Sequence, residues 1–114
     1  MSATIYKILP QHEWDEALRD GAFRGSAVDL ADGYIHFSTA EQVRETAAKH
    51  FAGQADLLLL AVDPDACPAE ALRWEPSRGG ALFPHLYAPL DPGCVTRVDP
   101  LPFEDGVHRF PADL

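Results

Sequence analysis

The stretch Leu57-Leu58-Leu59-Leu60-Ala61-Val62 is the longest uncharged apolar run in the chain. A continuous apolar run of this length is typical of a β-strand that is covered on both faces. Pro64 follows closely, and because a proline cannot donate a hydrogen bond to a neighbouring strand, the strand should end before it. The sequence therefore predicts that residues 57–62 form the central strand of a sheet.

The first helical segment covers residues 10–20. Its apolar residues Trp14, Ala17 and Leu18 recur at the spacing of one helix face. Gly21 suits the left-handed position that often ends a helix. We expect a short amphipathic helix with these three apolar side chains facing the core.

The second helical segment follows directly after a predicted strand. Thr39 and Gln42 have the spacing of a capping box, in which the two residues satisfy each other's backbone donors. Val43, Ala47 and Phe51 then form an apolar stripe with a period of four residues. The pattern predicts a helix that packs this stripe against the core.

The other segments are extended or irregular. Residues rich in β-branched and aromatic side chains, bounded by prolines and glycines, lie at 4–9, 33–38, 72–75, 81–90 and 94–101. The stretch that holds Gly25, Ser26 and Asp29 is expected to be irregular. Two early helices and mostly late strands favour an α+β fold with a largely antiparallel or mixed sheet.

Length and charge limit the classes of function. The 114 residues suit one domain over residues 1–114, and nine Lys and Arg against eighteen Asp and Glu give a net charge of −9. This charge repels polyphosphates, so duplex nucleic acid and anionic membranes are poor partners, whereas a small neutral or cationic ligand is admitted easily. No run approaches the ~20 apolar residues of a membrane span, and no signal-peptide pattern is present, which favours a cytoplasmic protein.

The cysteines and histidines do not form a metal motif. Cys67 and Cys94 are too far apart in sequence for a CxxC pair and are expected to remain thiols in a reducing compartment. His36, His85 and Cys94 lack the spacing of zinc ligands. We therefore expect no bound metal.

Polar side chains fall at the ends of several predicted strands, while phosphate-loop, dinucleotide-fold, zinc-protease and serine-hydrolase motifs are absent. The polar residues are Lys7, His36, Ser38, Thr39, Glu75, Arg78, His85 and Tyr87. His36 lies on the strand face opposite Ile35 and Phe37, just before a helix N-terminus that can bind an anion or a hydroxyl group. The alternative is a half-buried histidine that bonds a backbone carbonyl.

The second cluster of polar residues lies later in the chain. His85 and Tyr87 share one strand face, which suits acid–base chemistry or stacking on a planar ring; the alternative is a core tyrosine beside a polar cap. Glu75 beside Trp74 can act as a general base or bind ribose hydroxyls. Arg78 lies in a glycine turn that can hold an anion.

Five blocks of the sequence, taken in order, resemble the small bacterial domain-of-unknown-function family numbered 952. They are Ile5-Tyr6-Lys7, residues 33–42, residues 57–63, Trp74-Glu75 and residues 82–87. The family's FIHxS and FPHxYG blocks are distinctive as an ordered pair, and here they are Tyr34-Ile35-His36-Phe37-Ser38 and Phe83-Pro84-His85-Leu86-Tyr87-Ala88. Lys7 replaces a histidine of the family's YHI block.

The resemblance implies a fold like that of ADP-ribosyltransferases, in which split α+β sheets enclose a cleft for NAD. With it we assign Glu75, His85 and Tyr87 as catalytic residues, and Lys7, His36, Ser38 and Arg78 as residues that bind NAD or a related ADP-ribosyl compound. The likeness to RNA 2′-phosphotransferases is less favoured, because the chain is acidic and has few arginines near the motif. One alternative is a non-catalytic module that holds a small metabolite or a peptide carboxylate, and another is a structural protein whose histidines complete the core.

A geometric prediction follows from strand alternation and the implied fold. The rings of His36 and His85 should face one pocket, with Glu75 and Tyr87 on its wall. A single small-molecule site requires that the two rings lie within roughly 15 Å of each other.

Overall fold

The computed structural model describes residues 3–114, apart from the side chain of Arg78. The strands are β1 (Ile5–Pro10), β2 (Ile35–His36), β3 (Leu57–Val62), β4 (Leu72–Pro76), β5 (Leu82–Leu86), β6 (Val95–Leu101), β7 (Phe103–Glu104) and β8 (Val107–His108). The helices are α1 (Gln11–Asp20), α2 (Ala27–Asp32) and α3 (Val43–His50). No helix in the described range is long and apolar enough to span a bilayer.

The first sheet has the order β1-β3-β6, with both pairings antiparallel. All six residues of β3 are buried, which confirms that residues 57–62 form a central strand covered on both faces. Full burial of a leucine side chain stabilises the fold by about 1.5–3 kcal/mol. The apolar run therefore supplies much of the free energy that holds this sheet in place.

The second sheet has the order β2-β5-β4 and is also antiparallel. Tyr6 and Ser38 link it to the first sheet, because each backbone N–H donates to the other's carbonyl oxygen, over 2.8 and 2.9 Å. A third pair, β7 and β8, forms a hairpin near α3. The described strands thus pair only antiparallel, and the expected α+β class is confirmed.

Helices α1 and α3 form where the sequence patterns predicted them. In α1, Trp14 and Ala17 are buried as expected, but Leu18 is 54% exposed, because α1 packs only a narrow stripe against the core. Before α3, the Thr39 N–H donates to Gln42 Oε1 over 3.0 Å and the Gln42 N–H donates to Thr39 Oγ1 over 3.3 Å. This exchange confirms the predicted capping box.

Helix α2 is a correction to the sequence analysis, which predicted an irregular stretch here. Ser26 precedes the helix, and its N–H donates to Asp29 Oδ2 over 2.9 Å. The helix has six residues, too few for a periodic apolar stripe to be recognised. Gly33 ends it with a φ of 90°, in the left-handed region.

The extended segments are shorter than expected. Residues 33–38 were predicted to form one strand, but β2 has two residues, and Ser38 makes a separate bridge to Tyr6. The strand is interrupted because the chain leaves the second sheet after His36 and reaches the first sheet at Ser38. Likewise, β5 ends at Leu86 rather than continuing to residue 90.

Candidate functional site

The two histidines singled out by the sequence are direct cross-strand neighbours. His36 on β2 lies opposite His85 on β5, and their ring centroids are 5.4 Å apart. Ile35 and Phe37 are buried in the core on the other face, as the alternation predicted. The prediction that the two rings lie within roughly 15 Å of each other is confirmed.

A cavity of about 570 Å³ has both histidines in its lining. Lys7, Ser38 and Thr46 also line it, and its aromatic walls include Phe37, Phe51 and Phe83. Glu75 and Tyr87 do not line it, so the predicted position of these two residues on its wall is wrong. Glu75 contacts His85 outside the cavity lining, and Tyr87 reaches this pair through its hydrogen bond to Glu75.

Asp29 is the buried centre of the polar network and was not singled out from the sequence. Its carboxylate accepts hydrogen bonds from Lys7 Nζ over 2.8 Å, from the Ser26 N–H over 2.9 Å and from the His36 N–H over 3.1 Å, and it lies 2.6 Å from His36 Nδ1. Burial alone would raise the pKa of Asp29, but the hydrogen bond from His36 and the charge of Lys7 lower it to about 2. Asp29 is therefore ionised and positions two predicted site residues.

Lys7 is buried, with its ammonium group on Asp29 and 5.9 Å from the ring centroid of Phe23. Burial lowers the pKa of Lys7, while the Asp29 carboxylate opposes this shift. Lys7 does line the cavity, as a ligand-binding residue should. Its positive charge is nevertheless already paired with the carboxylate of Asp29.

His36 is held by carboxylates at both ring nitrogens. Nδ1 lies 2.6 Å from Asp29 Oδ1, and Nε2 lies 3.0 Å from Asp32 Oδ2. A ring with a carboxylate at each nitrogen satisfies both contacts as a donor only when it is doubly protonated. The two carboxylates fix the orientation of the ring and leave neither ring nitrogen free for a ligand.

His85 is held at one nitrogen only. Glu75 Oε1 lies 2.8 Å from His85 Nδ1 and also accepts a 2.7 Å hydrogen bond from the hydroxyl of Tyr87. Because a carboxylate only accepts, the proton of neutral His85 lies on Nδ1 and the lone pair on Nε2. No described residue bonds Nε2, and no buried polar side-chain atom in the described range lacks a partner. His85 is buried, at 2% exposure, and contributes to the lining of the cavity.

The hydrogen bonds of Glu75 shift both its own pKa and the pKa of Tyr87. Hydrogen bonds from Tyr87 and His85 lower the pKa of Glu75. The same hydrogen bond to Glu75 raises the pKa of Tyr87. The carboxylate is thus stabilised as an anion, which is the state that orients an imidazole.

Tyr34 completes an aromatic cluster around the two histidines. Its ring stacks on His85 with centroids 4.2 Å apart, and it lies 4.6 Å from His36 and 5.0 Å from Tyr87. Burial raises the pKa of Tyr34, and the nearby Asp32 and Glu75 charges add to this shift. Of the other predicted residues, Ser38 is buried with its Oγ 2.9 Å from Thr46 Oγ1, and the side chain of Arg78 lies outside the described part of the structure.

Comparisons with known proteins place the chain in a family. The model for "Protein of unknown function (DUF952)" matches residues 8–98. A crystal structure of protein CC0527 from Caulobacter crescentus is 57% identical, covers 94% of each chain and has a TM-score of 0.89. A solution NMR structure of CC0527 is 59% identical, covers 91% of this chain and 90% of that one, and has a TM-score of 0.81.

A search of curated proteins gave no match. The family model and CC0527 agree with the resemblance inferred from the ordered histidine blocks, and both blocks lie within the matched residues. The chain therefore belongs to the DUF952 family of proteins of unknown function.

Proposed function

We propose that this chain is an enzyme that binds a small molecule in the cavity lined by His36 and His85. The observation that carries the proposal is the pair of carboxylate-bound imidazoles, 5.4 Å apart, in the lining of one cavity of about 570 Å³. Small-molecule sites are usually cavities of roughly 300–1,000 Å³ with a few convergent polar groups. The arrangement meets both requirements.

His85 is the proposed proton-transfer residue. Its Nδ1 is oriented by Glu75, its ring stacks on Tyr34, and it lines the cavity without a hydrogen bond from Nε2 to any described residue. A carboxylate, an imidazole and a substrate hydroxyl or water form a common general-base arrangement. His36, bound at both nitrogens, contributes a fixed part of the cavity wall instead.

We infer that the ligand is NAD or a related ADP-ribosyl compound, as the resemblance to ADP-ribosyltransferases implies. The aromatic residues Phe37, Phe51 and Phe83 in the lining support binding of a planar ring, and Ser38 and Thr46 supply hydroxyls that suit a ribose. The Lys7 ammonium is already paired with Asp29, which disfavours a diphosphate beside it. We therefore expect the nicotinamide riboside half, not the diphosphate, to occupy the cavity.

The second candidate is a module that binds a small ligand without catalysing a reaction. It is favoured by the two carboxylates that hold His36 and by the absence of Glu75 from the cavity lining, since Glu75 would not touch a ligand placed in the cavity. In that case the cavity discriminates ligands but does not transform them.

Calorimetric titration with NAD, nicotinamide riboside, ADP-ribose and nicotinamide, followed by NMR of the same mixtures, tests the proposal. We expect saturable binding, stronger for nicotinamide riboside than for ADP-ribose, and slow cleavage of NAD. His85→Gln should lower the cleavage rate by about 100-fold or more with binding largely retained. His12→Gln, at an exposed position on α1, is the matched control.

The outcomes separate the two candidates. Saturable binding with NAD intact after long incubation would establish the non-catalytic module. No heat with any of the four compounds at millimolar concentration would overturn the proposed ligand class.

A further inference from the structure

A second cavity, of about 470 Å³, lies between α3 and the β7–β8 hairpin. It shares no lining residue with the histidine cavity. Its floor is made of small residues of α3 and the turn after it, Ala47, Ala48 and Ala52, and Phe103 and Phe110 supply aromatic walls. This groove can therefore receive a flat apolar group.

The ionisable side chains in the lining of the groove are all of basic type. They are Arg44, His108 and Arg109, and no aspartate or glutamate lines it among the described residues. In a chain with a net charge of −9, a basic and partly aromatic groove stands out from its surroundings. Its charge complements an anionic ligand.

Arg44 is the cation best placed to bind such an anion. It lies in the first turn of α3, and its guanidinium carbon is 5.2 Å from the ring centroid of Phe110. No carboxylate of the described residues forms an ion pair with Arg44, whereas Arg97 is held by Asp99 and Asp113. Its planar fork of donors is therefore available to a carboxylate.

The other two basic residues shape the groove. His108 Nε2 donates to the Gln54 carbonyl oxygen over 3.0 Å, and its ring lies 4.9 Å from Phe103. Arg109 is exposed, and its contacts with Glu104 and Asp105 are long, at 3.7 and 3.5 Å. Exposed pairs of this length contribute little to stability. The hydrogen bond from His108 to Gln54 ties β8 to the turn that follows α3.

We propose that this groove is a second ligand site, which binds a small aromatic carboxylate. The carboxylate pairs with the guanidinium of Arg44, and the aromatic ring packs on the alanine floor and the phenylalanine walls. A single unpaired guanidinium matches a monoanion, while a phosphate dianion would also need Arg109, which has acidic neighbours. The site is independent of the histidine cavity and of the function proposed for it.

The experiment is a ¹H–¹⁵N NMR titration of the full chain with 2-naphthoate, with 2-naphthamide as the uncharged analogue. We expect saturable shifts on α3 and the β7–β8 hairpin, and binding of the amide weaker by about tenfold. Arg44→Gln should weaken naphthoate binding by about the same factor and leave amide binding unchanged, and Arg44→Lys should retain part of the affinity. Arg19→Gln, at an exposed position on α1, is the matched control.

Each of the following results would overturn the proposal. They are naphthoate shifts that map to the histidine cavity instead, equal affinities for naphthoate and naphthamide, and an Arg44→Gln variant that keeps its NMR dispersion and binds naphthoate as the wild type does. Tighter binding of phenyl phosphate than of naphthoate would also refute the carboxylate assignment.

Discussion

Asp29 is the residue on which the geometry of the histidine cavity most depends. Its side chain is only 1% exposed and joins the ammonium of Lys7 on β1 to the imidazole of His36 on β2. A buried carboxylate that loses its charge leaves its cationic partner desolvated and unpaired, which costs about 3–5 kcal/mol. Asp29→Asn should therefore lower the free energy of unfolding by that amount, while Lys7→Met in the same chain should restore part of it.

The pH dependence of unfolding gives a second measure of the same interaction. The pKa of Asp29 is about 2 in the folded chain against an ordinary value of 3.8, so its contribution is complete above 3.8 and is lost as the pH falls towards 2. This contribution is about 2 kcal/mol. Chemical denaturation from pH 5 to 2 should show a loss in the wild type that is larger by this amount than in the Lys7→Met/Asp29→Asn variant.

Asp15→Asn, at an exposed position on α1, is the control for the removal of one carboxylate. It should follow the wild-type pH profile. Identical profiles for the wild type and the double variant would show that Asp29 is not held as an anion by Lys7 and His36.

At the scale of elements, the turn from α2 into β2 determines where His36 lies. Gly33 has a φ of 90° and ends α2, and two residues later β2 begins. A side chain at this position meets no atom within 4 Å, so the cost of a substitution comes from backbone conformation alone. Gly33→Ala should lower the free energy of unfolding by about 1 kcal/mol, and Gly33→Asn should cost less, because asparagine tolerates this conformation.

Urea denaturation of the two variants measures this difference. If alanine and asparagine are equally costly, the turn is restrained by something other than the left-handed backbone.

Local patterns were sufficient for the elements whose determinants lie close together in sequence. The buried run of β3, the Thr39–Gln42 capping box and the alternation around His36 are each decided within a few residues, and each is confirmed. Helix α2 was missed because it is short, although Ser26 and Asp29 have capping-box spacing. The exposure of Leu18 depends on how α1 packs against strands that are distant in sequence. The spacing of apolar residues within α1 gives no information about that packing.

The candidate site shows the same division between local and distant information. The histidine blocks identified His36 and His85, but the role of Asp29 depends on three contacts that join β1, α2 and β2. The pairing of Glu75 with His85 likewise follows from the register of β4 on β5, in which Glu75 lies opposite Phe83. Neither the contacts of Asp29 nor the pairing of Glu75 with His85 could be assigned before the sheets were known.

At the scale of the whole molecule, one apolar cluster joins the two three-stranded sheets. Ile5 and Leu60 of the first sheet pack in the same cluster as Ile35 and Leu86 of the second. A shared core makes the sheets unfold together rather than separately. The histidine cavity then keeps its shape because both of the sheets that form it depend on the same packing.

Leu60→Ala tests this coupling, because Leu60 is fully buried in the first sheet and lies in the shared cluster. Removing its side chain should cost about 2–5 kcal/mol, whereas Leu82→Ala, at a position 52% exposed, should cost far less. Native-state hydrogen exchange should show the slowest amides of β3 and of β5 losing the same free energy of protection. If only the β3 amides lost protection, the two sheets would be separate unfolding units, and the cavity between them would open without global unfolding.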